Sequence, residues 1–139
     1  MTQINAYLKF NGNTREAFEF YKECLGGELT LQAVGDSPMA GQMPKDAKDK
    51  IIHAKLVKDG LVIMGSDMMG DEGHFIKGNN IYLCINGGTA EELKTFFSKL
   101  SAGGNITQEL KEAFFGTFGE LTDKFGMQWM FQADKEVHT

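Results

Sequence analysis

Residues that punctuate or cross-link small proteins are scarce in this chain. Cysteine occurs only at Cys24 and Cys84, without the close spacing of a zinc or redox motif, so each reads as a small buried apolar residue. Proline occurs only at Pro38 and Pro44, both inside a stretch rich in small and charged residues that reads as a loop, 36–49. A basic excess is missing too. With 14 Lys and Arg against 19 Asp and Glu, a formal charge of −5 and no clustering of cations, nothing marks a nucleic-acid or anionic-membrane surface. No apolar run approaches the roughly 18 residues of a membrane span. Nor does Met1-Thr2-Gln3-Ile4-Asn5 lead from a basic segment into an apolar one. A cytoplasmic protein is expected. No Gly-x-Ser-x-Gly element is present, which leaves serine-hydrolase chemistry unsupported.

What the chain does hold is enough apolar material for one core. At 139 residues and 42% hydrophobic content it falls in the range of one domain, 1–139. It is also unusually rich in methionine, with 8, and phenylalanine, with 11, soft and flat side chains that suit a core or an apolar pocket.

An internal repeat organises everything else. Tyr7 to Glu16 matches Tyr82 to Glu91 at a constant offset of 75, with six of ten positions identical. The register continues from Phe18, Tyr21 and Leu25 to Leu93, Phe96 and Leu100. After two inserted residues, Gly26-Gly27-Glu28-Leu29 answers Gly103-Gly104-Asn105-Ile106. Each half opens with an alternating strand, 4–10 and 80–86, and then a helix signalled by Asn13-x-x-Glu16 or Thr89-x-x-Glu92 and stopped by a glycine pair. Three strands are expected after each helix, at 28–34, 50–58 and 61–66, and at 105–111, 116–122 and 127–132. The last pair in each half is joined by a short turn, Lys58-Asp59-Gly60 or Asp123-Lys124-Phe125-Gly126. The fold class that follows is α+β. Two βαβββ modules, 1–67 and 80–133, are joined by a connector at 68–79, with helices on the outer faces of mixed sheets and a shared cleft between the modules.

Strand alternation sorts the side chains. Ile4, Ala6, Leu8 and Phe10 form the row a helix covers in the first strand, leaving Asn5, Tyr7 and Lys9 to the cleft. In the fifth strand, Ile81, Leu83 and Ile85 take the helix side and Asn80, Tyr82 and Cys84 the cleft side. In the fourth strand Leu61 and Ile63 go to the helix, and Val62 and Met64 to the cleft. In the eighth, Met127, Trp129 and Phe131 go with the helices while Gln128, Met130 and Gln132 face the cleft. Trp129 has a second reading as a pocket wall.

At this point the pattern resembles the vicinal oxygen chelate superfamily, which includes glyoxalases, extradiol dioxygenases and bleomycin or fosfomycin resistance proteins. More narrowly it resembles the PhnB-like family. The likeness is carried by Tyr7-Leu8-x-Phe10-x-Gly12-Asn13 with Phe20-Tyr21, Ile52-His53-Ala54, Gly65-Ser66-Asp67, and the run from Phe114 to Met130 that includes Thr122-Asp123-Lys124-Phe125-Gly126-x-x-Trp129-Met130. Phe115 stands where the family usually has tryptophan, which keeps an aromatic wall and removes an indole donor. Metal-dependent members of the superfamily hold one divalent ion on His, Gln or Glu side chains of the first, fourth, fifth and eighth strands. The resemblance puts Asn5, Met64, Asn80 and Met130 at those places. Two neutral amides and two thioethers do not suit zinc, nickel, manganese or iron, so no metal and no cofactor is expected. Some PhnB-like proteins carry a ubiquinone-pathway methyltransferase label. The turns Asn11-Gly12-Asn13 and Asn86-Gly87-Gly88 are too short for a nucleotide-type cradle.

Several polar residues admit both a chemical and a structural role. His53 is a general base or an anion donor, or a strand histidine satisfied by its neighbours. Asp67 orients His53 or binds a ligand hydroxyl, or caps a turn. Asp123 reads as a hairpin-turn aspartate, and His74 and His138 as solvated. Asn5 and Asn80 bind ligand, or each other and water. Phe114, Phe115 and Phe118 line an aromatic pocket or pack the core. The leading expectation is a metal-independent small-molecule-binding homodimer whose ligand meets Asn5, Tyr7, Met64, Asn80, Tyr82, Phe115 and Met130. The competing expectation is a lyase, isomerase or transferase using His53 with Asp67.

Overall fold

In the computed structural model, which describes residues 2–38, 40–42, 47–68, 75–114 and 116–134, the chain divides into two compact units, Met1–Ile76 and Lys77–Thr139. The first holds β1 (Ala6–Phe10), α1 (Thr14–Leu25), β2 (Glu28–Ala33), β3 (Ile51–Lys58) and β4 (Leu61–Asp67), with two short 3-10 turns at Val34–Asp36 and Ala40–Gln42. The second repeats the series as β5 (Leu83–Asn86), α2 (Ala90–Ser101), β6 (Asn105–Ala113), β7 (Gly116–Thr122) and β8 (Gln128–Asp134). Each unit is a βαβββ module with one four-stranded mixed sheet, in the orders β1-β4-β3-β2 and β5-β8-β7-β6. The first strand of each module runs parallel to the last, and the other pairs are antiparallel. Because parallel neighbours need a crossover, the helix carries the chain from one sheet edge to the other.

The amphipathic helices bury the face that the apolar spacing predicts. Ala17, Phe18, Tyr21, Cys24 and Leu25 of α1 are buried, as are Leu93, Phe96, Phe97 and Leu100 of α2. Burying each large side chain stabilises its module by about 2 kcal/mol relative to leaving it in water. In the first unit Phe18 sits edge-on to Phe10 and Tyr21, with centroids 6.1 and 5.8 Å apart. Gly65 permits this contact, since a Cβ there would lie 2.8 Å from the Phe18 ring. In the second unit Phe97 meets Phe131 edge-on at 5.2 Å.

Two expectations change at the strand starts. Ile4 and Ile81 were placed in the helix-covered rows, yet they are 99% and 76% exposed and precede β1 and β5. Alternation continues past the last residue that has a neighbour to pair with. At Ile81 the carbonyl accepts a hydrogen bond from the Gln128 side-chain amide at 2.9 Å, which holds the chain beside β8 without a backbone ladder. A third change concerns helix capping. Thr89 accepts from the Glu92 N–H as the motif predicts, but the Asn13 side chain makes no capping bond.

Candidate functional site

The missing cap of α1 comes from a residue expected to do chemistry. Asp67 ends β4 opposite Phe10, on the helix-covered side of the sheet, and is 2% exposed. Its Oδ1 accepts from the Thr14 N–H at 3.0 Å and from the Thr14 hydroxyl at 2.6 Å, while Oδ2 accepts from the Ile51 N–H at 2.9 Å. One carboxylate thus ties the helix start and the start of β3 to the end of β4, where the helix dipole also favours a negative charge. His53 lies on the opposite side. It pairs with Gln32 of β2, and its ring is 6.2 Å from that of Tyr7. The expected His53–Asp67 couple is therefore not formed, because alternation sends the two side chains to opposite faces of one sheet.

The face of the first unit that turns away from α1 reads as rows across the strands. Tyr7 pairs with Met64, and Met64 with Lys55, which pairs with Thr30. Lys9 pairs with Ser66 in the next row, and since Ala54 pairs with Gly65, that row continues through His53 to Gln32. Lys9 Nζ donates to Ser66 Oγ at 3.0 Å and lies 5.5 Å from the centre of the Tyr7 ring. Tyr7, Lys9, Lys55 and Gln32 are exposed, while His53 and Met64 are half-buried. The structure thus gathers Tyr7, His53 and Met64, expected from the sequence, and adds Lys9 and Ser66. Alternation had placed Lys9 beside Tyr7, but its link to Ser66 depends on which strand becomes its neighbour.

The corresponding face of the second unit has another chemistry. Cys84 pairs with Met130, which pairs with Glu120. Asn86 pairs with Gln132, and Gln132 with Phe118, which pairs with Lys111. Tyr82 and Asn80 are exposed and precede β5, as Asn5 is exposed and precedes β1. Phe115, His74 and His138 lie outside the described residues. Phe114 is 90% exposed, which gives it no role in a core, and Phe118 is half-buried. Trp129 is 1% exposed and donates its indole N–H to Asp123 Oδ2 at 2.8 Å, which removes its second reading as a pocket wall. Asp123 Oδ1 accepts from the N–H groups of Phe125 and Met127 at 2.8 and 3.0 Å, the hairpin-turn role its sequence context predicts. Cys84, expected to be a buried apolar residue, is exposed, unlike the buried Cys24, yet desolvation by its neighbours still pushes its thiol pKa up.

Strand register also revises the repeat at the metal positions of the superfamily. Met64 is the partner of Tyr7, whereas Met130 is the partner of Cys84, the repeat counterpart of Lys9. Met130 therefore corresponds to Ser66, and Gln128 takes the place that answers Met64. With either residue the donor set remains amides and thioethers, which does not fit a divalent ion of the harder kind. Among the described residues no three His, Cys, Asp or Glu side chains are grouped as a metal site. A depression of ≈ 290 Å³ in the second unit lies between α2 and the β6–β7 hairpin, lined by Lys94, Lys111, Glu112 and Thr117 with Ala90 and Leu110. It includes none of the expected site residues. Among the described residues no helix is long and apolar enough to cross a membrane.

The family model described as 3-demethylubiquinone-9 3-methyltransferase matches residues 2–132. Protein YjdN of Escherichia coli K12 is 32% identical, covering 98% of each chain. Protein PA1353 of Pseudomonas aeruginosa is 37% identical, covers 98% of this chain and 100% of its own, and superposes with a TM-score of 0.83. A PhnB protein of Bacillus cereus, described as a putative 3-demethylubiquinone-9 3-methyltransferase, is 26% identical with a TM-score of 0.73, covering 95% of this chain and 99% of its own. A glyoxylase/bleomycin resistance protein/dioxygenase domain from Frankia shares the fold alone, at 16% identity and a TM-score of 0.68, over 97% of this chain and 99% of its own.

Proposed function

Since the chain belongs to the PhnB-like family described as 3-demethylubiquinone-9 3-methyltransferase, within the glyoxalase/bleomycin resistance/dioxygenase superfamily, we propose that it is a metal-independent small-molecule-binding protein. The observation that carries this reading is the helix-free face of the first sheet. There Tyr7, His53 and Met64 share one surface, with half-buried and exposed groups, while the family's metal positions offer only neutral donors. Such a face presents flat and soft apolar groups beside hydrogen-bonding ones, the mixture that orients a small ligand.

Elemental analysis and native mass spectrometry of the purified protein test it together. Expected is a chain that still carries a small molecule in native spectra after exhaustive chelation and holds no stoichiometric metal. A divalent ion bound one to one, and lost on mutating Asn5 or Asn80, would overturn it.

A second reading, an enzyme of the lyase, isomerase or transferase type, is favoured by one observation, the imidazole of His53 beside the Tyr7 phenol on an accessible face. His53 would then act without Asp67, whose oxygens are engaged elsewhere. Full activity of a His53→Ala variant on a discovered substrate removes this option. Methyl transfer from a nucleotide-type donor has little support, because only three residues separate β1 from α1 and β5 from α2. Homodimer formation is supported by the exposed Ile4, Ile76, Ile81 and Phe114 and, among the described residues, by the sheet-edge strands β1, β2, β5 and β6, and a cytoplasmic location by the Cys84 thiol, which forms no disulfide.

A further inference from the structure

Cations on the helix-free face of the first unit run against the charge of the chain. The protein carries a formal charge of −5, yet this face presents Lys9 and Lys55. In the strands of this face the acid is Glu28, at the end of β2 remote from the Lys9 row. Glu28 stands four residues from Gln32, about 13 Å along a strand. Lys9 also has partners on this face. Its ammonium donates to Ser66 Oγ at 3.0 Å, on a serine 3% exposed, and lies 5.5 Å from the centre of the Tyr7 ring. An ammonium has three protons, so these contacts fix its place and leave donor capacity toward solvent. The fold does not require a cation there, for the repeat counterpart of Lys9 is Cys84 and that of Ser66 is Met130.

We infer that this face is an oxyanion subsite, in which Lys9, held by Ser66, receives the carboxylate or phosphonate of a small organic acid while Tyr7 and Met64 carry its flat apolar body. His53 stands in the same cross-strand row as Lys9 and Ser66 and supplies a further ring nitrogen to the acid group. The inference rests on the small-molecule-binding reading above and narrows it to an anionic class. A charge-assisted hydrogen bond from a preorganised ammonium contributes more than a neutral one, so the charge of the ligand should decide its affinity.

Calorimetric titration of the full chain with phenylacetate, phenylphosphonate and phenylacetamide at fixed ionic strength tests this. The native protein, Lys9→Met and Lys111→Met are compared, with circular dichroism and thermal melts confirming that each variant folds. Expected is binding of at least one anion about tenfold tighter than the amide, and loss of that advantage in Lys9→Met while Lys111→Met changes affinity less than about twofold. The relative affinity for the two anions identifies the preferred acid group. Equal binding of amide and anions with an indifferent Lys9→Met variant overturns the anion inference and leaves small-molecule binding intact. Equal weakening by Lys9→Met and Lys111→Met overturns it as a general charge effect. No binding of any of the three probes overturns it and removes this face from the ligand-binding reading as well.

Discussion

The two modules have the same strand order and the same helix placement, yet among the described residues each buries one aspartate, at a different point and for a different purpose. In the first, Asp67 closes the N-terminus of α1 and the start of β3. In the second, the residue in that structural place is Phe131, which packs against Phe97, and the buried carboxylate is Asp123, which closes a hairpin turn and holds Trp129. The consequence appears at the helix starts. α2 caps itself through Thr89, whereas α1 relies on a residue 53 positions further along the chain. A duplicated backbone can therefore be stabilised locally in one copy and through tertiary contacts in the other. The helix-free faces diverge as well, with Lys9 and Ser66 in one copy and Cys84 and Met130 in the other.

The sharpest way to break this comparison is Asp67→Ala. It leaves the N–H groups of Thr14 and Ile51 without their acceptor in a buried site, and should cost the first module about 3 kcal/mol in denaturant unfolding. Asp67→Asn should recover only part of this, because the amide nitrogen cannot accept at both ends. A loss below about 1 kcal/mol would mean that α1 does not depend on Asp67. A smaller effect distinguishes the two helix caps. Thr89→Ala should cost about 1 kcal/mol, while Asn13→Ala should change stability by less than about 0.5 kcal/mol, since its side chain makes no capping bond. Equal losses would contradict the difference. The smallest effect is a rate. Burial penalises the Cys84 thiolate, so the neutral thiol persists to higher pH than in free cysteine. Alkylation of the native protein by iodoacetamide should accordingly lag behind that of free cysteine at pH 8 and accelerate only at higher pH.

Much of this architecture was legible before the structure. The repeat at offset 75 located both modules, and helical spacing found the buried faces of α1 and α2. Alternation put Tyr7, Lys9 and Met64 on one side of their sheet. It failed at Ile4 and Ile81, where the pattern of a strand outlasts its pairing partner. The site was legible only in part. His53 and Asp67 were grouped because both are polar, lie in one module and match family positions, but 53 and 67 belong to adjacent antiparallel strands whose pairing sends them to opposite faces. Nothing near Asp67 in sequence indicates that its oxygens will meet Thr14 and Ile51.

Properties carried by neighbouring residues were thus settled by the sequence itself: the period of each element, the side of a strand on which a residue falls, and the duplication of the unit. Which side chains of different strands meet was decided only in the folded sheet. Lys9 and Ser66 are 57 residues apart, and their hydrogen bond exists because the crossover of α1 brings β4, rather than β2, beside β1. That choice depends on burying α1 against the whole sheet, an energy spread over many distant residues and written in none of them singly.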